Sequence, residues 1–390
     1  MNQFKLLAKT TFGFEDLLAD ELKSFGATNI EKVTRAVTFD GDLEIMYKAN
    51  LWSRVSLRIL KPVKTFPAGS EQELYDEVKK IDWSEYLTVD ETLAIDGVVS
   101  NSVLNHSLYV ALKTKDAIVD QFREKFGKRP SVDTAHPKVR INVHISKDVA
   151  NISLDSSGDS LHKRGYRSQT GEAPINETLA AGMVLLSGWD RKSPLIDFMC
   201  GSGTILIEAA LMAKNIAPGI FRNEFGFERW NDFDNELWEK IRDEAKAGEL
   251  KQIDFPITGI EKSAQTLKIA KENANNARMA DSIRFHAMPF EEYTPDVDHG
   301  TVIINPPYGG RITDTDLFEL YKTIGDRLKK KYKGFTAWLL TANKEAAKNI
   351  GLKPSRKIEL YNGSLECRFL KFELYEGSKK GKYLVKKEEE

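Results

Sequence analysis

The sequence predicts an α/β protein whose larger C-terminal half is a mostly parallel sheet ending in an antiparallel hairpin, preceded by two small α+β units. Three observations carry that expectation. From about residue 171 onward, short apolar strands alternate with helical segments, which implies a parallel sheet with right-handed crossovers. Near the end, Lys357–Tyr361 and Leu365–Leu374 flank Asn362-Gly363, a hairpin signal. Before residue 155, isolated amphipathic helices sit between strands, and residues 154–170 (SSGDSLHKRGYRSQTGE) are polar and rich in Gly and Ser, as at a domain junction.

The elements follow in order. Phe4, Leu6 and Ala8 open a strand, and Leu17, Leu18 and Leu22 recur at helical spacing before Gly26 stops the helix. Val33, Ala36 and Phe39 indicate strands that close at Asp40-Gly41. In the second unit, helices are expected over Ser70–Ile81 and Lys113–Phe126, between strands such as Leu93–Val98 and Arg140–Ile145. The alternation of Val139, Ile141, Val143 and Ile145 marks a half-buried strand. In the C-terminal half, strands are expected at Pro194–Asp197, Ile257–Glu261, Ile283–His286, Val302–Asn305 and Ala337–Thr341, with helices at Thr204–Ala213 and Leu317–Leu328. The expected organisation is therefore 1–60, 61–155, a linker at 156–170, a main domain at 171–377, and a disordered Lys- and Glu-rich tail at 378–390.

Composition excludes several classes of protein. At 390 residues the chain exceeds one average domain, and 41% hydrophobic with 10% aromatic residues supplies real cores. No apolar run approaches the roughly 18–20 residues of a membrane span, and the acidic N-terminus does not read as a signal peptide. Two cysteines, Cys200 and Cys367, build no disulfide framework and fit a reducing cytoplasm. The six histidines show no metal-ligand spacing, so no metal is expected. A net charge of -1, from 57 basic and 58 acidic residues, neither demands nor forbids a nucleic-acid partner.

Two segments carry chemistry. Asp197-Phe198-Met199-Cys200-Gly201-Ser202-Gly203-Thr204 lies where a strand meets a helix, where bare glycines admit a ligand to the backbone. A dinucleotide fold uses the same place, but its third glycine would fall at Leu206, and the next strand-end acid, Glu261, lies far beyond its usual spacing of about 20 residues. An acid at the strand end suits S-adenosylmethionine instead. Asp197 would orient the methionine amine and Glu261 the ribose, with Cys200, Gly201, Gly203 and Thr204 forming the turn. The second segment, Asn305-Pro306-Pro307-Tyr308, ends the fourth strand of the series. An exocyclic amine on a base is a poor nucleophile because its lone pair is delocalised. The Asn305 side chain and the Pro306 carbonyl would accept its hydrogens, Pro307 would stiffen the loop, and Tyr308 would stack on a base turned out of its helix. Catalysis would then be mainly positioning.

These segments resemble class I S-adenosylmethionine-dependent methyltransferases acting on exocyclic amines. Leu161–Arg167, Ala173–Ala180 (with Thr178), Ile216–Gly219 and Phe225–Trp230 are similar to the THUMP-containing RNA guanine-N2 methyltransferases, bacterial 23S rRNA enzymes among them. The resemblance covers essentially the whole chain, most strongly 161–310. It implies a ferredoxin-like domain and a THUMP domain before a Rossmann-like catalytic domain, S-adenosylmethionine as cofactor with Thr178 among its contacts, and guanine N2 in 23S rRNA or a large-subunit assembly intermediate as the target. One departure stands out: the family's adenine-contacting acid after the third strand is replaced by Pro289, with Glu291 nearby.

Other features carry competing readings. His162, Lys163, Arg164, Tyr166 and Arg167 are RNA candidates or interdomain contacts. The basic run 327–333 reads as a solvated helix end, and Trp230 with Trp238 as packing of an insertion against the catalytic domain. Two rival functions stay open, an N6-adenine methyltransferase on DNA and a non-catalytic RNA-binding assembly factor.

Overall fold

The computed structural model describes residues 3–167, 175–309 and 313–375. The chain divides into two compact units. The first holds residues 1–10, 15–163 and 222–244; the second holds 11–14, 164–221 and 245–390.

The first unit is built on one sheet. Its strands are β1 (Phe4–Thr10), β2 (Thr28–Val33), β3 (Ala36–Gly41), β4 (Ser56–Pro67), β5 (Thr92–Ser100), β6 (Ser131–Val132), β7 (Val139–Ser146) and β8 (Val149–Asp155). Four helices accompany them, α1 (Glu15–Ser24), α2 (Leu43–Trp52), α3 (Glu71–Lys79) and α4 (Ser107–Phe126). The strand order is β2-β3-β1-β4-β8-β7-β5-β6. The 12-residue β4 pairs with β1 through its first half and with β8 through most of its length. The boundary expected between residues 60 and 61 therefore falls inside a strand. Neither α2 nor β4 is among the expected elements. Asp42 starts α2 by accepting the Ile45 N–H at 3.1 Å. Ser70 starts α3 in the same way at Glu73, 3.2 Å away. Left-handed Gly127 (φ 69°) closes α4.

The first unit also contains most of the segment expected to be a linker. Ser156 and Ser157 have no exposed surface. Asn50 donates to Ser156 Oγ at 2.9 Å and accepts from Ser157 Oγ at 2.7 Å. Arg222 donates to the carbonyls of Ser157, Asp159, Ser160 and Lys163. A guanidinium satisfying four backbone carbonyls within seven residues is incompatible with a free tether. Around it, Phe225, Phe227, Phe233 and Trp238 form an aromatic cluster with Tyr47 of α2, Tyr47 and Phe227 stacking at 4.3 Å. The expectation that Trp230 and Trp238 pack against the catalytic domain is thus corrected. Trp238 lies edge-on to Tyr47, and Lys61 of β4 sits over Trp230. These contacts span large sequence separations, which local patterning does not reveal.

The second unit runs through α5 (Glu177–Ser187), β9 (Leu195–Asp197), α6 (Thr204–Ala213), α7 (Asn235–Ala247, begun in the first unit), β10 (Ile257–Glu261), α8 (Ala264–Asn276), β11 (Ile283–Ala287) and β12 (Gly300–Ile304). It continues through α9 (Asp314–Lys331), β13 (Phe335–Thr341), α10 (Lys344–Lys348), β14 (Arg356–Asn362) and β15 (Leu365–Glu373). Its seven strands lie in the order β11-β10-β9-β12-β13-β15-β14. The first five are parallel; β15 is antiparallel to both β13 and β14. Every residue of α6 is buried, as its mostly apolar sequence requires, and its one charged residue, Glu208, is buried with the rest. Val302, Ile304, Leu317, Tyr321, Ile324, Leu328 and Leu339 share one core cluster that joins β12, α9 and β13.

The hairpin turn differs from expectation. Asn362 pairs with Leu365 as the last residue of β14, so the turn is Gly363-Ser364, with Gly363 alone of the pair at positive φ (63°). A glycine in the first turn position twists the strands the right way, and Asn362 is left as a strand residue. Cys367 is buried in β15. The tail 378–390 and residues 168–170 of the expected linker lie outside the described residues. No helix among the described residues is long and apolar enough to cross a membrane.

Candidate active site

Strand order places the site. β9 pairs with β10 on one side and β12 on the other, and the chain leaves β9 in one direction along the sheet and returns to β12 in the other. A crevice opens at such a switch point, outside the carboxyl ends of the strands. Those ends deliver Asp197 from β9, Glu261 from β10 and Asn305 immediately after β12.

The turn after β9 is held from both sides. Cys200 N–H donates to the Ile260 carbonyl at 3.0 Å, and Gly203 N–H to the Cys200 carbonyl at 2.8 Å. Glu261 accepts the Gly201 N–H at 3.2 Å with one oxygen and the Ser263 N–H at 2.9 Å with the other. One carboxylate thus bridges two loops. Gly201 (φ 53°) and Gly203 (φ 80°) take left-handed conformations, and a Cβ at Gly201 would meet open space. Gly203 begins α6 without a side-chain cap, leaving backbone N–H groups facing the turn. Beneath it, Gly259 must be bare, since a Cβ there would lie 2.5 Å from Leu206 Cδ1 and 3.1 Å from Cys200 Sγ.

Asp197 is 1% exposed and accepts the Met199 N–H at 3.0 Å. Burial, and then the neighbouring Glu261 charge, push its carboxyl up to about 8. A buried acid in that state is suited to a cationic ligand, whose charge would restore the carboxylate. Burial likewise pushes the Cys200 thiol far up, with Asp197 and Glu261 adding to it, so Cys200 is no nucleophile. A carboxyl prepared for an ammonium, a second carboxylate for a diol, and an open glycine turn between them fit S-adenosylmethionine.

At the other wall, Asn305 Oδ1 is shielded from solvent and has no hydrogen-bond partner among the described residues. Pro306 is buried and Pro307 exposed. Tyr308 is half-buried, and its hydroxyl accepts from Asn362 Nδ2 at 2.5 Å. Pro289 and Glu291 are exposed, whereas Phe290 between them turns inward and stacks on Phe198 at 5.3 Å.

The remaining expected site residues are dispersed. Arg164 and Tyr166 are 1% exposed, and both reach buried Glu208, by an ion pair at 3.7 Å and a hydroxyl bond at 3.0 Å respectively. Arg167 donates to Thr204 Oγ1 at 2.7 Å and to the Ile175 carbonyl at 3.0 Å, and pairs with Glu177 at 3.5 Å. The RNA role expected of Arg164, Tyr166 and Arg167 is corrected accordingly: they form a buried ionic network behind α6. Lys163 is exposed and His162 half-buried with its ring against Ser160. Thr178 has no exposed surface and donates to Asn176, the residue that caps α5. Sequence reading missed Asn362 and Gly259. Only the adjacency of β10 to β9 and of the hairpin to the 305–308 loop reveals them. In the basic 327–333 run, Arg327 donates to the Tyr293 carbonyl, and Lys329–Lys331 close α9. Among the described residues no cluster of His, Cys, Asp and Glu is placed to hold a metal ion.

Comparison with known proteins agrees with this geometry. Residues 164–371 match the RMKL-like methyltransferase domain, 68–155 the THUMP domain and 5–60 the RlmL ferredoxin-like domain. The chain is 42% identical to a Synechocystis sp. protein provisionally described as an RNA methyltransferase, over 93% of this chain and 95% of that one. It is 41% identical to the ribosomal RNA large subunit methyltransferase K/L of Syntrophotalea carbinolica, over 95% of this chain and 54% of that one. The counterpart from Methylococcus capsulatus is 43% identical, over 93% and 50%. The chain therefore spans about half the length of these K/L relatives. Among solved structures, SMU.472, provisionally assigned as a methyltransferase and complexed with SAH, superposes with a TM-score of 0.87 at 32% identity, covering 97% of this chain and 100% of that one. A methylase-like protein of Clostridium difficile 630 superposes at 0.86 with the same identity and coverage. The chain belongs to the family of the RMKL-like methyltransferase domain, an S-adenosylmethionine-dependent methyltransferase with ferredoxin-like and THUMP domains ahead of its class I catalytic fold.

Proposed function

We propose that this chain methylates the exocyclic N2 amine of a guanine in RNA, with large-subunit (23S) ribosomal RNA as the substrate. The observation that carries the reading is the partnerless, solvent-shielded Asn305 Oδ1 at the carboxyl end of β12. A buried acceptor left unsatisfied costs about 1–3 kcal/mol, and such groups persist where a ligand completes them. An amine hydrogen completes this one.

S-adenosylmethionine, when bound, supplies a methyl group already activated by its sulfonium. What the chain adds is placement. Asp197 and Glu261 hold the donor at β9 and β10, and Asn305 Oδ1 with the Pro306 carbonyl accepts the two amine hydrogens one strand away. Those two hydrogen bonds draw the nitrogen lone pair out of conjugation and aim it at the methyl group. Methylation leaves an acidic nitrogen, which loses its proton to solvent without a strong base. Tyr308 supplies an aromatic face for a base turned out of its helix. Preorganisation of this kind contributes several kcal/mol without a strong base.

RNA rather than DNA is favoured by the THUMP match over 68–155 and by the ribosomal RNA named in the K/L relatives. The test supplies isotopically labelled S-adenosylmethionine with RNA and DNA from cells lacking the gene, followed by nucleoside analysis. Label in N2-methylguanosine supports the reading, and label confined to N6-methyladenine overturns it. Lack of S-adenosylmethionine uptake in calorimetry, with RNA binding intact, would leave the scaffold reading instead.

A further inference from the structure

We infer that Asn362, at the end of β14, is a positioning residue for the reaction, holding Tyr308 at the angle at which it receives the target base. The inference rests on the reading of residues 305–308 as the catalytic loop. Tyr308 follows Asn305 by three residues, and the two intervening prolines leave the loop few conformations of its own. What remains free is the tyrosine side chain. Its hydroxyl accepts from Asn362 Nδ2 at 2.5 Å, across 54 residues of sequence.

The donor is itself fixed. Asn362 pairs in register with Leu365, β14 pairs along its length with β15, and β15 pairs with β13, which is parallel to β12. The catalytic loop is therefore anchored twice to the same sheet, once through β12 and once through the hairpin and the phenol. The bond constrains rotation of the ring about its own chain. Burial raises the Tyr308 phenol above the ordinary tyrosine range, with the Asn362 bond pulling the other way, so it is a neutral phenol whose oxygen accepts at neutral pH. The turn chemistry serves this arrangement. With Gly363-Ser364 forming the turn, Asn362 keeps strand geometry and its amide points to a partner outside the turn.

The test is a double-mutant cycle on the full chain with ribosomal RNA as substrate. Asn362→Ala and Tyr308→Phe each remove one side of the bond, and Asn362→Leu removes the donor at near-constant volume should alanine disturb the hairpin. The expected result is a loss of about tenfold in kcat for each single variant. S-adenosylhomocysteine affinity and RNA KM should stay within about twofold, and the combined variant should lose little more than either alone. In a 3-fluorotyrosine-labelled protein, the resonance identified by its absence in Tyr308→Phe should broaden in Asn362→Leu. Wild-type kcat in both Asn362 variants, or losses that multiply in the combined variant, would overturn the inference. Asn305→Ala run alongside separates the two claims. If it too retains activity, the catalytic-loop reading fails; if it alone is inactive, only the role of Asn362 does.

Discussion

At Asn305 the fold gives up stability to keep an acceptor open. The amide oxygen lies shielded from solvent, and nothing among the described residues donates to it. Asn305→Ala is therefore expected to lower kcat by about two orders of magnitude or more, to leave S-adenosylhomocysteine affinity near normal in calorimetry, and to leave the melting temperature unchanged or slightly raised. Asp197 supports a second prediction, on protons. Its folded value of about 8 stands above the 3.8 of a free carboxyl, so the native state holds an extra proton between those limits. Stability of the ligand-free protein from this group is full below about pH 4 and is lost as pH rises toward 8. Asp197→Asn should flatten that slope in thermal melts. Binding of an ammonium-bearing ligand should draw the group back to a carboxylate and release up to about one proton near pH 7. Calorimetry of S-adenosylhomocysteine in buffers of different ionisation enthalpy reads this directly, and the release should vanish in Asp197→Asn.

At the scale of elements, the glycine turn depends on what lies beneath it. Gly259→Ala would place a methyl 2.5 Å from Leu206 Cδ1 and 3.0 Å from Phe285 Cδ1, on strand β10 directly under the turn. Overpacking of this kind costs about 1–3 kcal/mol, and here the shift would also move Cys200 and Gly201. A fall in melting temperature accompanied by weaker S-adenosylhomocysteine binding is the expected pair of results. The turn itself was legible in the sequence because an acid at a strand end followed by two glycines is a local pattern. So were the parallel strands, read from apolar runs, and the helix at Thr204–Ala213. The site's supports were not. Gly259 is one glycine in an ordinary strand until β10 is laid beside β9, and Asn362 reads as a turn residue until the register with Leu365 is known. The basic aromatic segment 162–167 misled in the opposite sense. Charged and aromatic residues at a junction look solvent-facing in sequence, yet Arg164 and Tyr166 are buried against Glu208.

At the scale of the molecule, the first unit is completed by residues from a distant part of the chain. Residues 222–244 bring Phe225, Phe227 and Trp238 against Tyr47, whose hydroxyl also accepts the Asp234 N–H at 3.0 Å. A fragment of residues 1–163 should consequently expose the Tyr47 face, bind a hydrophobic dye and melt well below the same fragment joined to 222–244 by a flexible linker. Equal melting of the two would contradict that role. The sequence boundary at residue 60 coincides with the end of the ferredoxin-like match yet lies within β4, which serves the strands on both sides of it, and no composition shift marks a shared strand. The central claim, that an open acceptor at the end of β12 receives a guanine amine in RNA, is tested most directly by nucleoside analysis. RNA and DNA from cells lacking the gene, incubated with labelled S-adenosylmethionine and this protein, should carry label in N2-methylguanosine of large-subunit RNA and lose it with Asn305→Ala. Label in N6-methyladenine of DNA, or undiminished N2-methylguanosine with Asn305→Ala, would contradict it.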